Sequence, residues 1–526
     1  MYLDTAKYKK SGKIYTRYLL RESYRQGTQI KKRTIASITK CSPDEIKAIK
    51  LALKHKNNLS VLGSFADVQV KQEKSIGALL ALQAVYSPIK KALSSDEQGR
   101  IALWQVWARL IDQGSRCSAL RLLDTHLGRE QLQLPDTLTL YRVYKNLEWL
   151  CKHQESIEQR LWKSRGRDKT ANLFLYDVTS SYLEGKHNEL GSYGYNRDKK
   201  SGKKQIVIGL LTDNEGDPIA VRVFKGNTSD CKTVQTQIDA LKNQFKVKEV
   251  TIVGDRAMFK LPQIAELPEN FNYISALTKT DIRTLLKSEV IQLELFDTEL
   301  CEVEDAGGRY ILRRNPIRAK EIEQVRKEKL EKLQSLIEEK NTYLSTHIRA
   351  TEKVALKELQ AKAEKLKINT WMTISVTDRV IKYEIDTTTL EEVSHLDGCY
   401  CLKTNLSTQT ASKEIVNDRY GDLQLVEAAF RTMKQSHLEL RPIYLRREDH
   451  TRGHVFIVML AYLLQRKLKK AWEKTDRTVQ ECLDILSTLT TTILEMGDIK
   501  VSKLPQPNAE CRQLLMLVGA KLPKSI

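Results

Sequence analysis

Leu173-Phe174-Leu175-Tyr176-Asp177-Val178-Thr179-Ser180-Ser181-Tyr182 is the stretch on which the reading of this chain turns. Its opening is almost continuously apolar, the pattern of a strand covered on both faces. Side chains alternate along a strand, so Asp177 shares a face with Leu173 and Leu175. An ionised carboxylate in that company is costly unless a cation or hydrogen-bond donors compensate it. Two readings stay open on this segment alone: an Asp bonded to a neighbouring loop, and an acid kept for chemistry.

The segments downstream weigh toward chemistry. Gln205 to Thr212 reads as a second strand, Asp213-Asn214-Glu215-Gly216-Asp217-Pro218 as a turn, and Ile219 to Phe224 as the returning strand. Gly226-Asn227-Thr228-Ser229-Asp230 punctuates the chain before a helix over about Thr233 to Phe245. Glu249 to Arg256 is then a fourth strand that ends in another acid, Asp255, and Phe271 to Leu277 a fifth. Strand, hairpin, helix, strand is the order of an RNase H-like mixed sheet. In that topology the first and fourth strands are neighbours, so Asp177 and Asp255 would meet although they are far apart in the chain.

A third acid lies well downstream. Tyr420 through Lys434 is helical by period: Leu423, Val426, Phe430 and Met433 form an apolar stripe, and Tyr420, Glu427, Arg431 and Lys434 share the adjacent face. Glu427 thus stands beside a buried stripe among cations. An ordinary surface Glu–Arg pair fits that pattern equally well.

Taken together these residues resemble a DDE transposase of a bacterial insertion sequence. The group in question bears a Y-x-x-R-x-x-x-E-x-x-x-x-x-x-K motif around its third acid. The spacing fits at Tyr420, Glu427 and Lys434, while Leu423 occupies the Arg position. Asp177-Val178-Thr179-Ser180, Gly226 to Asp230, Gly254-Asp255-Arg256, Leu277-Thr278-Lys279 and Glu439-Leu440-Arg441-Pro442-Ile443-Tyr444 are also similar to that group. The likeness covers residues 170–280 and 395–470 firmly and the N-terminal third more loosely. It implies an Asp177–Asp255–Glu427 site for two Mg²⁺ ions, with Mn²⁺ able to substitute, acting on DNA. Hard divalent ions prefer carboxylate oxygens, and a metal pair can activate the attacking hydroxyl and stabilise the leaving oxygen of a phosphodiester. Asp177 would bridge both ions, Asp255 and Glu427 completing one site each. No side-chain nucleophile is required, which suits a sequence without a Ser–His or Cys–His constellation. Tyr420 and Lys434 are implied phosphate contacts. Arg431, one turn after Glu427, is a further candidate that could stand in for the missing Arg, and Arg256 is another DNA-contact candidate.

The charge supports a polyanion partner. The 526 residues carry 87 Lys+Arg against 66 Asp+Glu, a formal net charge of +21. It is uneven: residues 1–60 hold fifteen Lys/Arg against four acids. There, Lys13 to Arg21 and Ile30 to Ile35 flank a Gln26-Gly27-Thr28 turn, the pattern of a basic β-hairpin. Lys31, Lys32 and Arg33 are its candidate DNA contacts. A helical region follows, with helices around Ile101–Ile111, after Ser115, and from Tyr141 to Trp162. A basic linker, Lys163 to Lys169, leads from it to the first acid. Helix, glycine turn, helix on a basic chain suits a DNA-reading module, and equally suits two helices that merely pack together.

The resulting expectation is a multidomain α/β protein. Residues 1–65 form the hairpin and a helix, and 66–168 the helical DNA-binding region. Residues 169–280 and 396–472 make up the RNase H-like catalytic domain, with the catalytic Glu helix in the second part. Residues 281–395 form a large α+β insertion, and 473–526 a helical tail suited to oligomer contacts. Within the insertion, Val290–Phe296 and Arg309–Arg313 read as strands, and Ala319–Lys367 as a charged helical hairpin or coiled coil. Its seam is Ile322, Val325, Leu330, Leu333 and Leu336. Trp371 reads first as core, second as a stack for a flipped base. Nine scattered cysteines without a CxxC pair argue against zinc and for reduced thiols. The longest apolar run, Val455 to Leu464, is short of the roughly 18 residues that cross a bilayer. The N-terminus lacks the apolar stretch of a signal peptide. The expected protein is therefore a homodimeric transposase acting on double-stranded DNA, the terminal inverted repeats of its element and the target, in the bacterial cytoplasm at the nucleoid. The alternatives are a nuclease or resolvase on the same sheet and a domesticated, non-catalytic DNA-binding protein.

Overall fold

The computed structural model describes residues 1–57, 68–165, 172–198, 200–256, 258–259, 267–268, 270–305, 308–436, 438–441, 443–496 and 499–523. The expected linker therefore lies outside the described residues from Gly166 onward, as does Pro442. The chain divides into two compact units. One comprises Met1–Val85, Cys117–Asp136 and Leu468–Ile526, the other Tyr86–Arg116 and Thr137–Lys467. The helical region expected over 66–168 is shared between them.

The first unit opens with three antiparallel strands, Tyr2–Lys10, Lys13–Gln26 and Gln29–Ser37. Ser11 and Gly12, both at positive φ (52° and 79°), make the first two-residue turn, and Gly27 (φ 61°) opens the second. Tyr8 and Tyr15 stack across the strands with ring centroids 5.6 Å apart. The helix Pro43–Lys54 follows, its start fixed by a capping box of Ser42 and Glu45. A second sheet places Thr490–Met496 between Gln69–Ser75 and Ile499–Lys503, with the helices Gly77–Val85, Val479–Ser487 and Ala509–Leu517 in the same unit.

The second unit is built on eight strands: β1 (Leu173–Tyr182), β2 (Gln205–Asp213), β3 (Pro218–Lys225), β4 (Val250–Gly254), β5 (Phe271–Ala276), β6 (Cys301–Asp305), β7 (Gly308–Arg314) and β8 (Cys399–Thr404). Their order is β6-β7-β8-β5-β4-β1-β2-β3. β1, β4 and β5 run parallel, and the other pairings are antiparallel. Every residue of β2 is buried, as a central strand requires. One face of the sheet carries Phe174, Tyr176, Val178, Val207 and Leu211, packed with Val234, Ile238, Leu241 and Phe245 of the helical segment that follows β3 and with Trp162. Glu158, fully buried on the helix Leu140–Ser164, accepts two 2.8 Å bonds from Arg222 of β3 and ties that helix to the sheet edge. Glycine is needed where the chain leaves β3: a Cβ on Gly226 would lie 2.0 Å from the Gln205 carbonyl oxygen. On the opposite face of β1, the helix Leu423–Arg431 lies against the strand.

The segment after β5 departs from expectation at Val290–Phe296, at the sheet its next strand joins and at one seam residue of the charged stretch, which is the expected helical pair. Val290–Phe296 is not a strand: Leu293–Asp297 is a 3₁₀ turn anchored by buried Ile291 and Phe296, a spacing that suits a turn better than a pleat. The Arg309–Arg313 segment is a strand, and it belongs to the main sheet as β7. The charged stretch is two helices, Pro316–Thr346 and Glu352–Leu366. Leu333, Ile337 and Leu344 pack with Leu359, Ala363 and Trp371. The second helix has 15 residues against 31 in the first, so it covers only half of its partner, and Val325, expected on the seam, is 46% exposed. Trp371 is 3% exposed and part of that core.

Candidate active site

Strand register brings the first two acids together. β1 and β4 are parallel neighbours with Tyr176 opposite Gly254, so Asp177 and Asp255 are the next residues along adjacent strands. The Asp177 side chain accepts a 2.7 Å bond from the Val178 amide. Burial pushes its carboxyl up to about 7 against that bond, and the negative charges of Asp255 and Glu427 push the same way while Arg197 opposes them. Asp255 is exposed at the strand's end, where its Oδ1 accepts from the Arg256 amide at 2.7 Å. The Arg256 side chain is exposed, with Nε 3.8 Å from Asp255.

Glu427 reaches the cluster from the helix Leu423–Arg431. Leu423, Val426, Phe430 and Met433 are buried as one stripe, which leaves Glu427 exposed on the flank nearest the two Asp residues. Tyr420 sits on the preceding helix, Lys413–Gly421, with its phenol near enough to Asp255 to feel that charge. Burial, and then the Asp255 charge, push its phenol up to about 12. Three carboxylates and a phenol thus face one another. This donor set fits hard divalent cations: all oxygen, with an acid that burial makes reluctant to ionise unless a positive charge joins it. The carboxylate oxygens are not gathered as closely as the ligand atoms of Glu148, Asp449 and His450, which lie within 4.8 Å of one another. That second group is already served by cations: Glu148 bonds to Arg447 at 2.9 Å and Lys145 at 3.1 Å, and Arg447 also pairs with Asp449.

The helix gives way to a π-helical turn over Thr432–Ser436, which carries Lys434. Lys434 is buried, and its Nζ donates to Thr179 Oγ1 (3.0 Å), the Ser180 carbonyl (2.7 Å) and Asp198 Oδ1 (2.6 Å). Arg441 reaches the same oxygen at 2.8 Å and lies over the Tyr182 ring. Arg197 is held twice by Asp230, at 2.6 and 2.8 Å. Asp198 and Arg441 were not singled out individually from sequence. Asp198 follows an Arg in a basic loop and looks like half of a surface pair, whereas its side chain is 2% exposed. Arg431 remains exposed beside Glu427.

In the N-terminal unit, Lys31 and Arg33 share one face of the strand Gln29–Ser37 and Lys32 points to the other, because pleating alternates side chains. Arg33 is engaged by Glu22 at 2.7 Å, and Lys32 lies 5.9 Å from the Tyr2 ring.

A mixed sheet that sets two acids on adjacent strands and a third on a helix against them matches a known family. The family model described as the transposase DDE domain matches residues 168–464, more than half of the chain. The chain therefore belongs to the DDE transposases, enzymes that cleave DNA and transfer its strands. Residues 3–61 further match the N-terminal domain of IS1634 family transposases. No curated protein matches the chain. No helix among the described residues is long and apolar enough to cross a membrane.

Proposed function

We propose that this transposase cleaves the terminal inverted repeats of its own insertion sequence and joins the freed ends to target DNA, with Asp177, Asp255 and Glu427 as the catalytic acids. What carries the reading is Asp177, a carboxyl on a central strand pushed up to about 7, close enough to Asp255 and Glu427 to feel both charges. Perturbed acids of this kind cluster at functional sites.

Asp177, Asp255 and Glu427 would together hold the two Mg²⁺ ions. When bound, the ions supply an activated hydroxyl and stabilise the leaving 3′-oxygen of an in-line displacement. The chain's own residues orient the strand. Tyr420, whose phenol lies close to Asp255, can orient that carboxylate or hold a phosphate oxygen beside it. Arg256 and Arg431 are exposed beside the acids, where each can take a non-bridging phosphate oxygen. Lys434, held by Asp198, bonds to Thr179 on the face of β1 that carries Asp177, keeping that strand in place. The three-stranded basic sheet of residues 2–37 binds the element's end. The enzyme works as a homodimer in the bacterial cytoplasm, at the nucleoid.

The test uses a duplex carrying the inverted repeat that brackets the reading frame. With Mg²⁺ or Mn²⁺, the protein should cut at the element's end and join that end to plasmid DNA. Cleavage without joining would make it a nuclease, and neither reaction would leave a DNA-binding protein only.

A further inference from the structure

Away from the acids, the second unit encloses a cavity of about 230 Å³ whose lining includes Arg109, Arg116, Tyr144, Glu439, Tyr444 and His454. Arg109 and Arg116 are 5% and 6% exposed. Among the described residues no carboxylate lies within ion-pairing distance, 4.0 Å, of either guanidinium. Asp112 and Glu439 act on Arg109 only from farther away. Burial lowers the Arg109 guanidinium to about 10; burial and then the charge of Arg109 lower Arg116 to about 9.

The hydrogen bonding is correspondingly incomplete. Arg109 donates to the Gln113 carbonyl, but its Nε is buried without a partner. Arg116 donates to Nδ1 of His454 at 2.5 Å, and the opposite nitrogen of that ring faces the Leu440 carbonyl at 3.3 Å. His454 is thereby set as a neutral imidazole with its proton on Nε2, and burial holds its pKa well below the usual histidine range. It orients Arg116 without neutralising it. Two desolvated cations lining a largely apolar cavity lack the counter-charge that buried ions require. At the rim, Glu439 holds a φ of 39°, a left-handed conformation uncommon for a residue with a side chain and frequent beside ligand sites.

We propose that this cavity is an oxyanion pocket in which Arg109 and Arg116 grip a phosphate group of the DNA strand. Guanidinium forks match phosphate oxygens in pairs, and the unpartnered Arg109 Nε is the donor left over for them. The anionic group is argued from the cavity alone; that it belongs to DNA rests on the transposase reading.

Calorimetry of the full chain with inorganic phosphate, against chloride at equal ionic strength, tests the pocket. A single saturable site is expected, weakened at least roughly tenfold by Arg109→Gln or Arg116→Gln. Because a buried arginine variant can fail to fold, the exposed rim supplies a second arm. Glu439→Gln should tighten phosphate binding by about two- to fivefold as its repulsion is lost. No saturable site in either the wild type or Glu439→Gln overturns the pocket. The titration is then repeated on the chain saturated with element-end duplex. Loss of the phosphate site assigns the pocket to a DNA phosphate, and undiminished binding overturns that source. Neither arm touches the acids, so failure here is separate from failure to cleave DNA.

Discussion

Asp177 and Asp198 are two acids at the same strand with opposite circumstances. Asp198 is buried and answered: Lys434 and Arg441 both reach its Oδ1, and the Tyr182 amide reaches Oδ2. Asp177 is half-buried and in no ion pair among the described residues, with a backbone amide as its hydrogen bond, two further acids nearby and Arg197 acting on it only from a distance. A neutralised buried charge holds architecture together. An unneutralised one costs stability and persists where a ligand repays that cost. Substitution at the two positions should therefore move activity and stability in different directions.

The largest expected effect is on activity. Asp177→Asn, Asp255→Asn and Glu427→Gln should each lower strand cleavage by at least roughly a thousandfold, the scale of several kcal/mol of lost transition-state stabilisation, while element-end binding persists. Cleavage at the normal rate by any one variant removes that residue from the site. Stability should respond the other way at Asp177. Its folded pKa, about 7, lies above the ordinary 3.8, so as pH rises between these values the unfolded chain gives up a proton that the folded chain keeps. Folding loses stability across that window, and the loss is complete above about pH 7. Asp177→Asn removes the penalty and should stabilise the metal-free protein at pH 8 by on the order of 2–4 kcal/mol. A destabilised variant at pH 8 would place Asp177 with the structural acids.

Asp198→Asn should do the reverse. It strands Lys434 and Arg441 in the interior, and breaking a buried pair from one side costs on the order of 3–5 kcal/mol. The double variant Asp198→Asn/Lys434→Met should recover part of that loss in urea unfolding. If Asp198→Asn is as stable as the wild type, the contrast between the two acids fails.

A smaller effect links protons to metal. Ions held by Asp177 compete with its proton, so apparent Mg²⁺ affinity, read from Mg²⁺-induced thermal stabilisation, should fall below about pH 7 by up to tenfold per pH unit. Asp177→Asn should flatten that dependence, and a steep dependence surviving in the variant would point to another titrating group.

What the sequence made legible follows from how local each signal is. Apolar runs and turn residues mark β1 to β5 within a few residues of their ends, and strand order then places Asp177 beside Asp255. The apolar stripe Leu423, Val426, Phe430 and Met433 likewise locates Glu427. Helical spacing sets Lys434 on the Glu427 face, but it does not register the π turn that carries Lys434 or the burial of its side chain. Asp198 was missed because its partners lie more than two hundred positions away. The strand Gln69–Ser75, with the polar sequence Gln-Val-Lys-Gln-Glu-Lys-Ser, was invisible for a related reason: its partner is Thr490–Met496, near the other end of the chain. The Arg109–Arg116 cavity leaves no local mark in the sequence because, in a basic chain, a buried arginine looks like any other.

The same contrast between answered and unanswered charge reaches the N-terminal sheet, where the smallest effect is expected. Lys31 and Arg33 share a strand face, yet Arg33 is bonded to Glu22 through both Nε (2.9 Å) and NH2 (2.7 Å), and no ion pair of Lys31 is found among the described residues. A phosphate must displace Glu22 to use Arg33 and displaces only water and counterions to use Lys31. Each phosphate neutralised contributes about 0.9 to the slope of log affinity against log salt. Lys31→Gln should therefore reduce that slope by about 0.9 in element-end binding, and Arg33→Gln by less. Lys32→Gln, on the opposite face, should leave it almost unchanged if DNA lies across the Lys31 face. Equal reductions from all three would mean that both faces meet DNA, or that the strand binds by bulk charge with no defined face.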